Sequence, residues 1–150
     1  TLRPGIALYG GNPTPETINP MRRVVDLSVR ILQTRCVKAG DTVGYSASHS
    51  FQNDTSIATV ALGYADGFHR TGSNRATFFW NGQPCPVVGR VSMDLITVDT
   101  GKITGQKPQA GDWLEVLGPH QSVDDLAKSL GTIGYEILTS LGKRFDRVYI

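Results

Sequence analysis

Hydrophobic and polar positions alternate along several short stretches of the chain, which is the pattern of half-buried β-strands. Between residues 25 and 31, apolar residues alternate strictly with Asp26, Ser28 and Arg30, so one face of a strand would be buried. Apolar and β-branched residues also run together in other segments. These predicted strands are residues 42–45, 56–62, 76–80, 91–98, 113–117 and 145–150.

One pair of strands has a clear hairpin signal. Asn81-Gly82 follows residues 76–80, and this dipeptide favours a type I′ turn because both central residues need positive φ. The returning strand is predicted to run through residues 86–88. Since proline cannot donate a hydrogen bond to a sheet ladder, Pro84 and Pro86 predict an edge or a strand end there.

Helix signals appear only late in the chain. Ser122 can cap a helix over residues 123–130, with Asp125 at the third position, and Gly131 can close it.

A second short helix is predicted from Thr132 through Tyr135 to Leu141, closed by Gly142. Many short strands with one or two short helices near the C-terminus predict a mainly β fold, a closed or partly open β-barrel.

Composition and charge exclude several classes of function. The formal net charge is only +2 and the basic residues are scattered, so we expect neither nucleic acid nor an anionic membrane as a partner. No apolar run approaches a membrane span, and no secretory leader is visible. Cys36 and Cys85 form no C-x-x-C, and His49, His69 and His120 lack metal-ligand spacing. We therefore expect no bound metal and a cytoplasmic location.

Pattern alone does not name a reaction. Tyr45, Tyr64 and Tyr135 each follow a glycine at the end of a predicted element, where a tyrosine more often packs or hydrogen-bonds than catalyses. A β-barrel binding module, for example for nucleic acid, is the alternative from a different class. It would need a basic face with exposed aromatic residues, whereas the consecutive residues 78–80 point alternately to opposite faces, which fits burial better.

Five phrases of the sequence, taken together, resemble the alanine racemase family in order and spacing. They are residues 3–10 (RPGIALYG), 43–45 (VGY), 63–67 (GYADG), 88–94 (VGRVSMD) and 132–136 (TIGYE). The resemblance implies a homodimeric enzyme with an N-terminal TIM barrel and a C-terminal β domain. Residues 1–12 would end the barrel and connect it to the β domain at residues 13–150. Because the chain opens at Thr1 without a methionine, we expect it to be part of a longer protein.

The resemblance implies pyridoxal phosphate (PLP) as the cofactor, bound to a lysine of the barrel that is absent from this chain. Racemisation needs two bases that flank Cα of the substrate. The family's bases are that lysine and a tyrosine that matches Tyr45. A phenol has a pKa near 10 and is a poor base at neutral pH, so nearby cations must favour its ionised form.

Four residues match cofactor-binding positions of the family. Arg3 matches the arginine that faces the pyridine nitrogen, where a guanidinium donates a hydrogen bond without losing its proton. Gly5 and Ile6 match positions whose backbone N–H groups bind the phosphate, and the hydroxyl of Tyr135 matches one that also reaches it.

Substrate-facing residues are implied in the same way. Met93 matches a residue whose main-chain N–H holds the substrate carboxylate, although by residue type it would be a core methionine on a strand. Tyr64 matches an inner gate tyrosine beside Tyr45, and Asp66 is a candidate partner for one of the corridor arginines, Arg70 or Arg90. The residues that match the substrate entry corridor are Arg70, Arg90 and Ile133.

In the family, the residues that match the four cofactor-binding positions bind the cofactor of their own subunit, whereas those that match Tyr45, Tyr64 and Met93 reach into the partner's site. One departure affects Tyr45: the family usually has glycine directly after the catalytic tyrosine, and here Ser46 follows while Gly44 precedes.

The implied reaction is the interconversion of L- and D-alanine, which supplies D-alanine for peptidoglycan. A broader amino-acid racemase acting on serine or lysine is the alternative within the same fold. The isolated chain is expected to be inactive.

Overall fold

Six antiparallel strands form one sheet that curls into a nearly closed barrel. The computed structural model describes residues 1, 3–14, 16–44 and 48–150. The strands are β1 (Leu27–Val37), β2 (Thr42–Val43), β3 (His49–Ser50), β4 (Thr55–Ala61), β5 (Thr77–Trp80), β6 (Gln83–Pro86), β7 (Leu95–Asp99) and β8 (Trp113–Leu117). The barrel sheet has the order β6-β5-β8-β1-β4-β7, and β2 and β3 pair separately. The predicted mainly β barrel is therefore confirmed.

The two ends of the sheet meet where the chain leaves β6. Val87 pairs with Val98 of β7, and the Val88 N–H donates to the carbonyl oxygen of Thr97 at 2.9 Å. The β5–β6 turn has the predicted form, since Asn81 and Gly82 have φ of 48° and 77°. Strand β6 ends the strand order, as its two prolines predicted.

The alternating residues of β1 show how the sequence builds the core. Leu27, Val29 and Ile31 are buried, while Ser28 and Arg30 are exposed. Phe78 of β5 is fully buried in the same cluster and meets Phe68 edge to face. A smaller cluster lies beside β2 and contains Val37, Val43, Phe51, Ile57 and Val88.

Two helices pack on this core. Helix α1 (Val123–Leu130) has the predicted caps, since Ser122 Oγ accepts the Asp125 N–H at 3.1 Å and Gly131 has φ of +74°. Helix α2 (Gly134–Ser140) begins two residues later than predicted, and Leu141 is its C-cap. None of the helices in the described ranges is long and apolar enough to cross a membrane.

Further predicted boundaries were wrong. The strand that returns from the Asn81-Gly82 turn is β6, residues 83–86, and not residues 86–88. Gly142 does not close α2, because its N–H donates to the carbonyl oxygen of Asp66 at 3.0 Å. Residues 91–94 precede β7 in a turn, where Ser92 exchanges hydrogen bonds with Leu95. Residues 145–150, all of them described, form no strand. A strand needs a partner strand for its hydrogen bonds, and no described residue pairs with residues 145–150.

Candidate active-site surface

The start of the chain and the start of α2 meet at one surface point. The Ile6 N–H donates to Tyr135 Oη at 2.9 Å, across 129 positions of sequence. Gly5 has φ of +57°, and a Cβ built on it would lie 2.3 Å from Tyr135 Oη. Ile6 is buried and Tyr135 is half exposed. We call Gly5, Ile6 and Tyr135 the phosphate cluster, because these are the residues predicted to bind the cofactor phosphate.

Two further predicted residues lie near this cluster. Arg3 is exposed two positions before Gly5. Ile133 is the exposed N-cap residue of α2 and lines the same surface depression as Ile6 and Tyr135. The structure therefore places Ile133 beside the phosphate cluster.

A second depression collects three of the predicted substrate-facing residues, Tyr64, Arg70 and Met93. The Tyr64 N–H donates to the Ser92 carbonyl oxygen at 3.0 Å, and the Ala65 N–H donates to that of Met93 at 3.0 Å. Met93 is 52% exposed and lies in a turn, so it is not a core methionine on a strand. We call Tyr64, Arg70 and Met93 the substrate cluster.

Gly63 explains why the two segments of the substrate cluster approach so closely. A Cβ at this position would lie 2.1 Å from the Met93 carbonyl oxygen, which is closer than a side chain can come. Glycine therefore lets the backbone before Tyr64 lie directly against the Met93 turn.

Arg90 lies at another point of the surface. A Cβ on Gly44, which has φ of +81°, would be 2.9 Å from the Arg90 backbone nitrogen. Arg90 is thus next to the residue that precedes Tyr45. Tyr45 itself, like Ser46 and Ala47, lies outside the described residues.

Asp66 pairs with a different arginine from those predicted. Its Oδ1 lies 3.2 Å from Arg144 Nε, and its Oδ2 accepts the Gly63 N–H at 2.8 Å. Arg144 also donates to Asp94 Oδ1 at 2.8 Å. The hydrogen bond that Arg144 donates to Asp94 and the negative charge of Asp66 raise the pKa of Arg144, so the arginine stays charged. The expectation that Asp66 pairs with Arg70 or Arg90 was wrong.

Cysteines and metal-binding side chains add no further site. Cys36 is an exposed thiol and Cys85 a buried one, and both are free. Within residues 1, 3–14, 16–44 and 48–150, no three His, Cys, Asp or Glu side chains are grouped to hold a metal ion.

The sequence of the chain matches those of known proteins of one family. The chain matches the family model described as alanine racemase, C-terminal domain, over residues 24–149. It belongs to this family. The chain is 54% identical to an alanine racemase of Cereibacter sphaeroides over 147 residues, covering 98% of this chain and 40% of that protein. It is 51% identical to a catabolic alanine racemase of Rhizobium johnstonii, over 98% of this chain and 39% of that protein.

Solved structures agree with this assignment. The fold matches the crystal structure of alanine racemase from Bartonella henselae with covalently bound pyridoxal phosphate, with a TM-score of 0.93 and 45% identity. That match covers 97% of this chain and 40% of the other. Biosynthetic alanine racemase from Pseudomonas aeruginosa matches with a TM-score of 0.90 and 34% identity, over 97% and 41% of the two chains. The chain therefore spans about 40% of the length of these relatives.

Two residues with long-range side-chain contacts, Arg144 and His69, were not among the predicted site residues. Arg144 contacts two carboxylates, as described above. His69 Nε2 lies 2.9 Å from Ser140 Oγ at the end of α2, and its Nδ1 lies 3.9 Å from a carboxylate oxygen of Glu136. These contacts span 50 or more positions. No local pattern signals such pairs.

Proposed function

We propose that this chain forms the C-terminal part of a PLP-dependent alanine racemase. The observation that carries the proposal is the phosphate cluster, in which the Ile6 N–H reaches Tyr135 Oη beside a glycine without room for a side chain. The family resemblance predicted these three residues to bind one group. Their convergence from distant parts of the sequence supports that role.

The chemistry of this cluster fits a phosphate. Tyr135 Oη accepts the Ile6 N–H, so the phenol proton is left to donate. When the phosphate binds, the Ile6 N–H would donate to it instead of to Tyr135 Oη, so that an N–H and an O–H hold a single anion with several acceptor oxygens. Gly5, Ile6 and Tyr135 would hold the cofactor phosphate, and Arg3 would donate to the pyridine nitrogen. When bound, pyridoxal phosphate supplies an electron-withdrawing ring that acidifies the α-proton of the amino acid.

The reaction then needs a base on each face of Cα. In our proposal, Tyr45 takes the proton on one face as a phenolate or returns it as a phenol, and a lysine of the barrel domain serves the other face. The Met93 N–H would hold the substrate carboxylate. The Ser92 carbonyl, which shares a peptide group with the Met93 N–H, accepts the Tyr64 N–H at 3.0 Å, and this hydrogen bond orients the Met93 N–H. Tyr64 would border the substrate beside Tyr45.

We further propose that the two clusters of one chain serve two active sites of a homodimer. The phosphate cluster would bind the chain's own cofactor, and Tyr45 and the substrate cluster would complete the partner's site. The placement of the predicted residues in two separate depressions supports this division. The product would be D-alanine for peptidoglycan.

A chimera tests the proposal. Residues 1–150 would replace the matching C-terminal region of the Cereibacter sphaeroides alanine racemase, to which they are 54% identical. We expect the chimera to bind PLP, seen by its visible absorbance, and to racemise alanine faster than serine or lysine. The 150-residue chain alone should do neither. A folded chimera that binds PLP but does not racemise alanine would contradict the proposal.

Single substitutions in the chimera separate the roles. Tyr45→Phe should keep PLP bound and abolish most racemisation. Tyr135→Phe removes a hydrogen bond to a charged group, worth about 1.5–3 kcal/mol, so PLP affinity should fall about 10- to 100-fold. Tyr149→Phe is the matched control, since Tyr149 is 88% exposed and outside both clusters. Wild-type turnover in Tyr45→Phe would refute the assigned base.

A further inference from the structure

One arginine binds two carboxylates that lie close in sequence to residues of the substrate cluster. Arg144 follows α2 and places Nε 3.2 Å from Asp66 Oδ1, while its terminal nitrogen lies 2.8 Å from Asp94 Oδ1. A guanidinium holds its donors in a rigid planar fork and can bind two acceptors in a defined geometry. We call Arg144, Asp66 and Asp94 the arginine clamp.

Each carboxylate of the clamp is fixed to a segment that carries a substrate-cluster residue. Asp66 is buried and ends the 3-10 helix Tyr64–Asp66, and its other oxygen accepts the Gly63 N–H at 2.8 Å. Asp94 directly follows Met93 in sequence. A displacement of Arg144 would therefore shift the two segments that carry Tyr64 and Met93.

The backbone that carries Arg144 is itself anchored to the same place. The Gly142 N–H donates to the Asp66 carbonyl oxygen at 3.0 Å. A Cβ on Gly67 would lie 1.8 Å from the Ser140 carbonyl oxygen, so the end of α2 is packed directly on the 3-10 helix. The backbone that carries Arg144 is thus held in a fixed position relative to the two carboxylates.

We propose that Arg144 is a positioning residue that holds the Met93 N–H and Tyr64 in the geometry that binds the substrate carboxylate. This inference rests on the proposed function. Without Arg144, the buried Asp66 keeps its Gly63 hydrogen bond but loses its charged partner, and Asp94 is released. Because burying an unpaired carboxylate is unfavourable, the 3-10 helix and the Met93 turn should shift toward water.

The experiment compares variants of the chimera by steady-state kinetics and PLP titration. For Arg144→Met we expect the KM for alanine to rise at least about fivefold, with kcat within about twofold and PLP affinity unchanged. A general loss of structure would lower kcat and PLP affinity as well. Arg144→Lys should give an intermediate KM, since one ammonium keeps the charge but lacks the fork.

Two controls make the result specific to the clamp. Arg147→Met removes a nearby arginine whose guanidinium donates to the Gly142 carbonyl oxygen at 3.2 Å, and it should leave KM unchanged. Asp94→Asn should raise KM by itself, and combined with Arg144→Met it should add little, because both changes break the same contact. If Arg144→Met fails to fold, Arg144→Lys and Asp94→Asn decide the question.

The outcomes separate the two proposals. A parent chimera without racemase activity refutes the proposed function. An active parent in which the Arg144 and Asp94 variants keep the parent KM, or in which Arg147→Met raises KM as much as Arg144→Met, overturns only the inference about Arg144.

Discussion

Gly67 offers the sharpest test of the junction between α2 and the substrate cluster. It has φ of +98°, and a Cβ there would lie 1.8 Å from the Ser140 carbonyl oxygen and 2.5 Å from its carbon. The clash is with backbone and not with a flexible side chain, so alanine at this position must push the end of α2 away from the 3-10 helix.

The expected loss can be built from its parts. An alanine held in the left-handed region costs about 1–2 kcal/mol. Displacing α2 also breaks the Gly142–Asp66 hydrogen bond of 3.0 Å and the His69–Ser140 contact of 2.9 Å, each worth about 1 kcal/mol. We therefore expect Gly67→Ala to lower the free energy of unfolding by about 3–4 kcal/mol.

Gly40 supplies a matched control. Its φ is +91°, and a Cβ there would meet nothing within 4 Å, so Gly40→Ala carries the backbone strain alone, about 1–2 kcal/mol. The assay is urea unfolding followed by fluorescence of Trp80, which packs partly buried against the core. The denaturant slope should stay constant while the midpoint falls. Equal losses in the two variants would refute the packing argument.

Two further predictions concern the core. Phe78→Ala should cost about 3–5 kcal/mol, because Phe78 is fully buried and packs edge to face on Phe68 at 5.5 Å; half-buried Phe79→Ala should cost less in the same urea assay. Burial raises the pKa of the Cys85 thiol to about 12 from 9.0, so iodoacetamide at about pH 8 should alkylate the exposed Cys36 but not Cys85 until urea is added. Since the fold favours the protonated thiol, the free energy of unfolding should be constant below about pH 9 and fall at higher pH, by up to about 1.4 kcal/mol per pH unit. Cys85→Ala should remove that fall. Alkylation of Cys85 in the native protein would contradict the argument.

Local signals explain which parts of the fold were predictable. The Asn81-Gly82 turn and the Ser122 cap depend on residues within three positions of one another, so the sequence alone specifies them. Strand β8 has the predicted bounds, residues 113–117, for the same reason. The predicted strand at 145–150 was wrong because a strand also needs a partner from another part of the chain, and none of the described residues pairs with it. Local alternation of apolar and polar residues does not show whether such a partner exists.

In the candidate site, too, some side-chain contacts were predicted and others were missed. The family resemblance predicted that Ile6 and Tyr135 act together, and the structure brings them into contact, but residue type alone assigned Tyr135 no more than a packing role. Arg144 was missed because its meaning depends on Asp66 and Asp94, which lie 50 or more positions earlier. An exposed arginine near a chain end has no distinguishing pattern of its own. Its candidate role arises only when the fold places a buried carboxylate and the Met93 turn within reach of one guanidinium, so such positioning residues have to be inferred from three-dimensional contacts.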